Sequence, residues 1–132
     1  MTEIELKSAT VLLRAFAHPT RLAILQELAK GPKCVTDLED LLPARQANLS
    51  QHLALLRHTQ LVDFAQDAQT RCYYLAKPKL TRILLETLAR NETPVSKSTK
   101  QIKAEKAKVE AKQATNPKKP TQTIKRNARA RG

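Results

Sequence analysis

The placement of proline constrains this chain more than any other feature of its sequence. Proline lacks an amide hydrogen and clashes with the preceding helical turn, so it suits the start of a helix or a link between helices, but not a helix interior. In the first 90 residues the prolines fall where stretches of helically spaced apolar residues begin or end. The chain is therefore predicted to form several short helices. The interruptions are His18-Pro19, Gly31-Pro32, Pro43 and Lys77-Pro78.

The residues between these interruptions predict five helices and a hairpin. Thr36 and Glu39 have the spacing of a capping box, which predicts that a brief helix begins there after a short extended segment. Two strand-like runs, 61–65 and 71–75, are joined by the polar link 66–70, as in a β-hairpin. The four longer helices are predicted over residues 4–16, 20–29, 46–58 and 78–90.

This order of elements predicts a mainly α fold with a small β-hairpin, the winged helix-turn-helix. Two consecutive short helices directly before a hairpin are its signature, and the second of them, 46–58, is then the recognition helix. Such a helix enters the major groove of double-stranded DNA by its N-terminal end. Its apolar stripe for the core is Leu49, Leu53 and Leu56, at i, i+4 and i+7.

The N-terminal part of the predicted recognition helix carries side chains that suit base reading. Gln and Asn can bond the N6 and N7 edge of adenine, Ser can bond bases or phosphate, and Arg can reach guanine or the backbone. The alternative interpretation is that these residues form a solvated polar face without a binding role. The position of helix 46–58 between a turn and a hairpin disfavours this alternative. The predicted DNA-binding residues here are Arg45, Gln46, Asn48, Ser50 and Gln51.

Positive charge is concentrated at the C-terminal end of the chain. The net charge is +12, of which residues 1–94 contribute only +2 and residues 95–132 contribute +10. Apolar residues become sparse after Pro94, so residues 95–132 are predicted to be a disordered basic tail, with nascent helix at most over 102–113. Residues 1–94 are predicted to form the folded domain. The tail residues proposed to track phosphates are Lys118, Lys119, Lys125 and Arg126.

Several classes of protein are disfavoured by composition. No apolar run approaches the roughly 18 residues that span a bilayer, and acidic Glu3 and Glu5 are wrong for a secretory signal, so a cytoplasmic, nucleoid-associated location is expected. Four aromatic residues are too few for the stacking platforms of single-strand binders. No phosphate-cradling glycine loop or catalytic set is evident, and so neither an enzyme nor a cofactor is expected.

Three segments resemble the ArsR-type (ArsR/SmtB) winged-helix repressors of bacteria. They are AHPTRLAIL at 17–25, ANLSQHLALLR at 47–57 and RCYYL at 71–75, within a resemblance that covers about residues 8–88. The resemblance implies a homodimer joined through the first and last helices, here 4–16 and 78–90, and a repressor that releases DNA when an effector binds. The apolar stripes of those helices exceed what one small core needs, which also indicates a partner surface.

The sequence departs from the family at the positions that the resemblance implies for metal ligands. Cys34 is present, but Thr36 stands where a second cysteine is expected, and helix 78–90 has no histidine. The three histidines are expected to be packing residues that do not cluster. Cys34 and Cys72 are expected to be cross-strand neighbours, and a dithiol switch that responds to oxidant, reactive sulfur or a thiophilic ion is one hypothesis. Two inert core cysteines are the other.

The polar link 66–70 of the predicted hairpin is expected to form the tip of the wing. The link 66–70 has no glycine and carries Asp67, so minor-groove insertion by this wing is expected to be weak. Arg71, its nearby cation, is the sixth predicted DNA-binding residue. A nucleoid-type protein that binds DNA through its tail without sequence preference is one alternative. A protein-interaction module that has lost DNA reading is another, which the polar residues of helix 46–58 disfavour.

Overall fold

The computed structural model describes residues 1–115 of the chain. Its contacts define two units, Glu3–Asn91 and a second one that starts at Glu92, and each is described separately. The first contains five helices and three strands, in the order that the sequence predicts. They are α1 Glu3–Phe16, α2 Pro19–Ala29, β1 Lys33–Cys34, α3 Val35–Leu41, α4 Gln46–His58, β2 Val62–Asp67, β3 Thr70–Leu75 and α5 Pro78–Arg90.

Helix α3 begins earlier than the predicted capping box places it. The carboxylate of Asp37 accepts a 2.8 Å hydrogen bond from the amide of Cys34, so Cys34 and not Thr36 is the N-cap residue. Both Asp37 and Glu39 stand three residues after a candidate cap, and sequence spacing does not distinguish them. Pairing of Lys33 and Cys34 with β3 fixes the residue at which the strand ends and the helix begins.

The three strands form an antiparallel sheet in the order β1-β3-β2. The hairpin between β2 and β3 is longer and tighter than predicted, because only Ala68 and Gln69 connect Asp67 to Thr70. Ala68 adopts a left-handed φ of 57°, which allows this short turn without glycine. The strands therefore extend the wing beyond the sheet core, to residues that are all exposed between Ala65 and Arg71.

The core of the first unit is assembled from aliphatic residues of every helix but α5, with the inner side of the hairpin. The predicted stripe of α4 is confirmed, since all three of its leucines are fully buried. Leu84 and Leu85 of α5 pack against this core from its edge. The buried core residues are Ala15, Phe16, Ile24, Leu25, Leu28, Leu38, Leu49, Leu53, Leu56, Leu61, Val62, Tyr73 and Leu75.

The second unit contains helix α6, Thr99–Thr115, where the sequence composition predicts disorder. A capping box starts the helix: Ser98 Oγ accepts from the amide of Gln101 at 3.2 Å, and Gln101 Oε1 accepts from the amide of Ser98 at 2.8 Å. Ala, Lys, Gln and Glu have high helix propensity, which a criterion based on apolar content overlooks. The predicted phosphate contacts Lys118, Lys119, Lys125 and Arg126 lie outside the described residues.

No helix within residues 1–115 is both long enough and apolar enough to cross a membrane.

Candidate nucleic-acid interface

Helix α4 is fixed to the core by one face and presents the opposite face to solvent. Leu49, Leu53 and Leu56 form the buried face, and at about 100° per residue Gln51 lies opposite them while Asn48 lies at the flank of the helix, about 100° from Leu49. Both are exposed. The helix axis is thus held by packing while two amide side chains project outward from its first two turns.

The other predicted reading residues occupy different positions around the same helix. Gln46 and Ser50 line a cleft that separates α4 from the hairpin, whereas Arg45 precedes the helix as its N-cap residue in extended conformation. The side chain of Arg45 does not cap the helix, and all three residues are exposed. The structure therefore distributes the five predicted residues over the N-terminus, the outer face and the cleft side of α4.

The cleft has α3 and α4 on one side and the hairpin on the other. Its volume is about 590 Å³, and it is open to solvent along one side. Polar side chains dominate its lining, which includes two arginines and one glutamate. The lining residues are Val35, Thr36, Glu39, Gln46, Ser50, Ala54, Arg57, Gln66, Gln69, Thr70, Arg71 and Tyr73.

Two arginines of the cleft pack on one aromatic ring. The guanidinium carbon of Arg57 lies 4.3 Å from the centroid of Phe64, and that of Arg71 lies 4.6 Å from the same centroid. Arg57 Nε also donates to Asp63 Oδ1 at 3.1 Å. The backbone amide of Phe64 and then Arg57 hold the pKa of Asp63 below its ordinary value. Sequence reasoning identifies Arg71 but misses Arg57, whose contacts depend on a residue of the hairpin.

Arg21 of α2 connects helix α4 to the end of α1. Its Nε donates to the carbonyl of Ala15 at 2.7 Å and its Nη2 to that of Arg14 at 3.1 Å, both at the C-terminal end of α1. Its Nη1 lies 3.2 Å from Nδ1 of His52 on α4. Because arginine can only donate, His52 Nδ1 accepts this bond and is unprotonated. Arg21 thereby couples the orientation of α4 to the end of α1.

The expectation that the histidines do not cluster is wrong for two of them. The rings of His18 and His52 lie 4.4 Å apart, and His18 Nδ1 caps α2 by accepting from the amide of Thr20 at 3.0 Å. Burial, the neighbouring His18 and the Arg21 guanidinium together lower the pKa of His52 from its ordinary value of 6.5. Both rings are part of helix packing. No group of three or more potential metal ligands occurs within residues 1–115.

The two cysteines lie side by side in the sheet. Cys34 of β1 is the register partner of Cys72 of β3, their Cα atoms are 3.9 Å apart, and a disulfide joins them. Cys34 also caps α3, and Cys72 is followed by the buried Tyr73. This bond therefore links the start of the helix-turn-helix to the base of the wing.

Helices α1 and α5 have apolar side chains that no other part of residues 1–115 covers. On α1, Ile4 is 77% exposed and Val11 is 53% exposed, and their spacing of seven residues places both on one face. On α5, Leu80 is 38% exposed and Ile83 is 63% exposed, and their spacing of three residues does the same. An isolated exposed leucine is ordinary, but a row of them along a helix is typical of an interaction surface.

Comparison with known sequences gives one consistent result. The sequence profile described as "Bacterial regulatory protein, arsR family" matches residues 18–63. The biofilm growth-associated repressor of Agrobacterium fabrum is 40% identical over 74 residues, which are 56% of this chain and 63% of that protein. The repressor SmtB of Mycobacterium tuberculosis is 37% identical over 84 residues, 64% of this chain and 62% of that protein. The chain thus spans less than two thirds of the length of these two relatives.

A third relative is similar in sequence and in structure. The transcriptional activator HlyU of Vibrio cholerae is 39% identical over 92 residues, which are 68% of this chain and 84% of that protein. A solved structure of HlyU superposes with a TM-score of 0.62 at 38% identity, covering 67% of this chain and 96% of that one. The similarity therefore extends from the profile match to the winged-helix architecture.

Proposed function

Because this chain belongs to the ArsR family of bacterial regulatory proteins, we propose that it is a sequence-specific DNA-binding transcriptional regulator. In this proposal α4 lies in the major groove of double-stranded DNA and reads bases through the residues of its exposed side. The relatives include two proteins named repressors and one named an activator. Repression of an operator, relieved by an effector, is the mode proposed for this chain, and the bacterial cytoplasm is where it acts.

The outward amides of α4 are the observation that carries the proposal. Gln51 is exposed opposite the core and Asn48 is exposed at the flank next to it, so a helix seated in the groove presents both to base edges. Each can donate and accept at once, which matches the N6 and N7 pattern of adenine. Gln46 and Ser50 extend this reading surface toward the hairpin. Nothing among the relatives supports the alternative of an architectural protein that binds without sequence preference.

A homodimer is proposed to form through α1 and α5, the helices predicted at 4–16 and 78–90. Their exposed apolar side chains need a cover, and an identical surface on a second copy supplies one. Two recognition helices would then face DNA about one helical turn apart and read a palindrome. Sedimentation velocity of the full chain tests this, with a concentration-dependent dimer expected and a monomer at all concentrations contradicting it.

The sequence preference is tested by fluorescence anisotropy on two DNA duplexes. One carries the promoter region upstream of the protein's own gene, and the other carries the same bases shuffled. We expect at least tenfold tighter binding of the full chain to the promoter duplex, because base contacts add to phosphate contacts that both duplexes share. Equal affinities at every salt concentration would exclude sequence-specific regulation at this promoter.

The disulfide is proposed to be the effector-responsive element. Hydrogen peroxide removes two electrons and two protons from the thiols of Cys34 and Cys72, which forms the S–S bond and yields two waters. Since β1 precedes α3 and β3 carries Arg71, opening or closing this bond changes how firmly the wing is tied to the helix-turn-helix. The structural alternative is a stabilising bond without a regulatory role.

These two roles of the disulfide differ in their effect on DNA affinity. A switch predicts that dithiothreitol changes the Kd for promoter DNA by several-fold, that peroxide restores it, and that Cys34→Ser with Cys72→Ser abolishes the response. Mass spectrometry under each condition reports the thiol state. An unchanged Kd in fully reduced and fully oxidised protein would leave the bond a structural one.

The basic C-terminal residues are proposed to add attraction without specificity. Replacing Lys118, Lys119, Lys125 and Arg126 with Gln is expected to weaken binding to promoter and shuffled duplexes by the same factor. The slope of log affinity against log salt should fall by about 0.9 for each phosphate that the variant no longer neutralises. Loss of preference between the duplexes would assign sequence reading to this segment instead.

A further inference from the structure

The guanidinium groups of Arg57 and Arg71 share contact with one aromatic ring, that of Phe64. Arg57 comes from the last turn of α4 and Arg71 from β3, so the two residues approach one ring from opposite sides of the cleft. Contact with an aromatic ring restricts the orientation of a planar guanidinium. The cation–π attraction also offsets part of the free energy that desolvating the charge costs. Two like charges are thereby held near each other on the cleft side of the wing.

The ion pair of Arg57 orients its side chain and leaves donors available. Asp63 is bonded to Nε, and within the described residues no protein group bonds either Nη atom of Arg57. The side chain remains 52% exposed. Arg71 is exposed and forms no ion pair within residues 1–115. Both guanidiniums therefore present unused N–H donors to the cleft, where Glu39 is the acidic lining residue.

We propose that Arg57 and Arg71, supported by Phe64, form a site for a backbone phosphate of DNA in the cleft between α4 and the hairpin. The planar fork of arginine matches phosphate oxygens, and the hydroxyls of Ser50 and Thr70 in the same lining supply neutral donors. This inference rests on the proposed function, because it assumes that α4 enters the groove. It assigns Arg57 a binding role and gives Arg71 a phosphate contact in place of minor-groove reading.

A phosphate contact and a base contact respond differently to DNA sequence and to salt. Contacts to phosphate fix the position of a protein on the duplex without reading sequence. Removing one weakens binding to all duplexes alike and lowers the salt slope by about 0.9, hence by about 1.8 for a dimer that engages two half-sites. Removing a base contact weakens binding to the operator alone and leaves the salt slope nearly unchanged.

The test measures anisotropy of the full chain across salt for Arg57→Gln, Arg71→Gln and their combination, on promoter and shuffled duplexes. Lys30→Gln is the matched charge control, since Lys30 is engaged by Glu27 and does not line the cleft. We expect each cleft variant to lose affinity by the same factor on the promoter and shuffled duplexes, and to have a smaller salt slope. The control should leave the affinity and the salt slope unchanged. Phe64→Leu keeps both charges and is expected to weaken binding less, again equally on both duplexes.

The outcomes separate this site from the proposed function. An unchanged salt slope in both cleft variants, or weaker binding confined to the promoter duplex, would overturn the phosphate site. If the wild-type chain binds both duplexes equally, sequence reading fails, yet the slope comparison still decides whether the arginines contact phosphate. If circular dichroism shows that Arg57→Gln does not fold, Arg71→Gln and Arg57→Lys decide the question. The exposed Arg71 has no ion pair to lose within residues 1–115, and lysine retains the charge of Arg57.

Discussion

Helices α4 and α5 have the same length of 13 residues and similar leucine content, but they differ in what covers their apolar side chains. Leu49, Leu53 and Leu56 of α4 are fully buried within the chain. On α5, Ile83 and Leu88 remain more than half exposed. Helical periodicity therefore predicts both helices equally well, while one of them belongs to the core and the other offers a surface for a second molecule.

The polar side chains that the two helices direct toward the rest of the unit differ in the same direction. His52 of α4 has a ring neighbour and an arginine donor, and it connects the helix to the rest of the unit. Thr81 of α5 is fully buried, and its hydroxyl has no hydrogen-bond partner within the described residues. Helix α4 is thus positioned by specific polar contacts, whereas α5 is held on its inner side mainly by apolar packing and by the bond from Arg82 to Ala29.

The largest expected effect follows from emptying a core position of α4. Leu53→Ala should lower the free energy of unfolding by about 2–5 kcal/mol, because it removes fully buried methyl groups and leaves a cavity. Leu88→Ala removes the same atoms from an exposed site of α5. Urea denaturation at low protein concentration, where a dimer dissociates, should show a much smaller destabilisation for the α5 variant. Equal destabilisation would contradict the assignment of these helices to core and surface.

A charge on the exposed face of α5 should separate the copies without unfolding them. Ile83→Glu is expected to weaken self-association by about 100-fold, because a carboxylate buried in an apolar interface loses its hydration. Analytical ultracentrifugation measures the association constant, and circular dichroism reports whether the helices persist. Lys79→Glu also places a carboxylate on α5, at a position that is already polar, and is expected to have less effect. An unaltered dimer in Ile83→Glu would exclude α5 from the interface.

Replacing the unpartnered hydroxyl of α5 should stabilise the protein. Thr81→Val puts a methyl group in place of a buried hydroxyl that lacks a partner within the described residues, and we expect a gain of about 1 kcal/mol. Thr81→Ser is the matched control, since it keeps the hydroxyl and deletes the methyl group, and it should destabilise. Thermal unfolding of both variants measures the difference. A less stable valine variant would indicate that the hydroxyl has a partner, such as a buried water.

The smallest expected effect concerns pH and the recognition helix. The folded state lowers the pKa of His52 below 6.5, so the unfolded chain binds the proton more readily. The contribution of this neutral ring to stability is fully present above pH 6.5 and is lost as pH falls through the lowered pKa of the folded state. His52→Gln should flatten this part of the pH dependence in urea titrations. A wild-type stability that rises on acidification through this range would contradict the sign.

The sequence could predict those parts of the fold that depend on local patterns. The bounds of α4 and α5 follow from the apolar stripe and from the proline at 78, and the order of elements follows from the interruptions. Sequence spacing places the start of α3 two residues late, because Asp37 and Glu39 offer equivalent caps until β1 is paired. A prediction from apolar content alone misses helix α6, whose side chains over residues 99–114 are exposed. High helix propensity of its residues and the capping box at Ser98 account for this helix instead.

The spatial grouping of side chains in the candidate site is the part that the sequence could predict least. The register of the sheet brings Cys34 to Cys72, as expected from the topology, but the ring contact of His18 with His52 depends on how α2 crosses α4. Arg57 resembles any basic residue in a last helical turn. Its contact with Phe64 requires the hairpin to fold back beside α4, which no local pattern encodes.

A footprint of the full chain on its own promoter shows whether α4 reads DNA sequence as part of a dimer. We expect two protected half-sites about one helical turn apart, and loss of both in a variant with Asn48→Ala and Gln51→Ala that still folds and dimerises. Protection that spreads evenly along the DNA, or a footprint that the double variant leaves intact, would contradict this expectation.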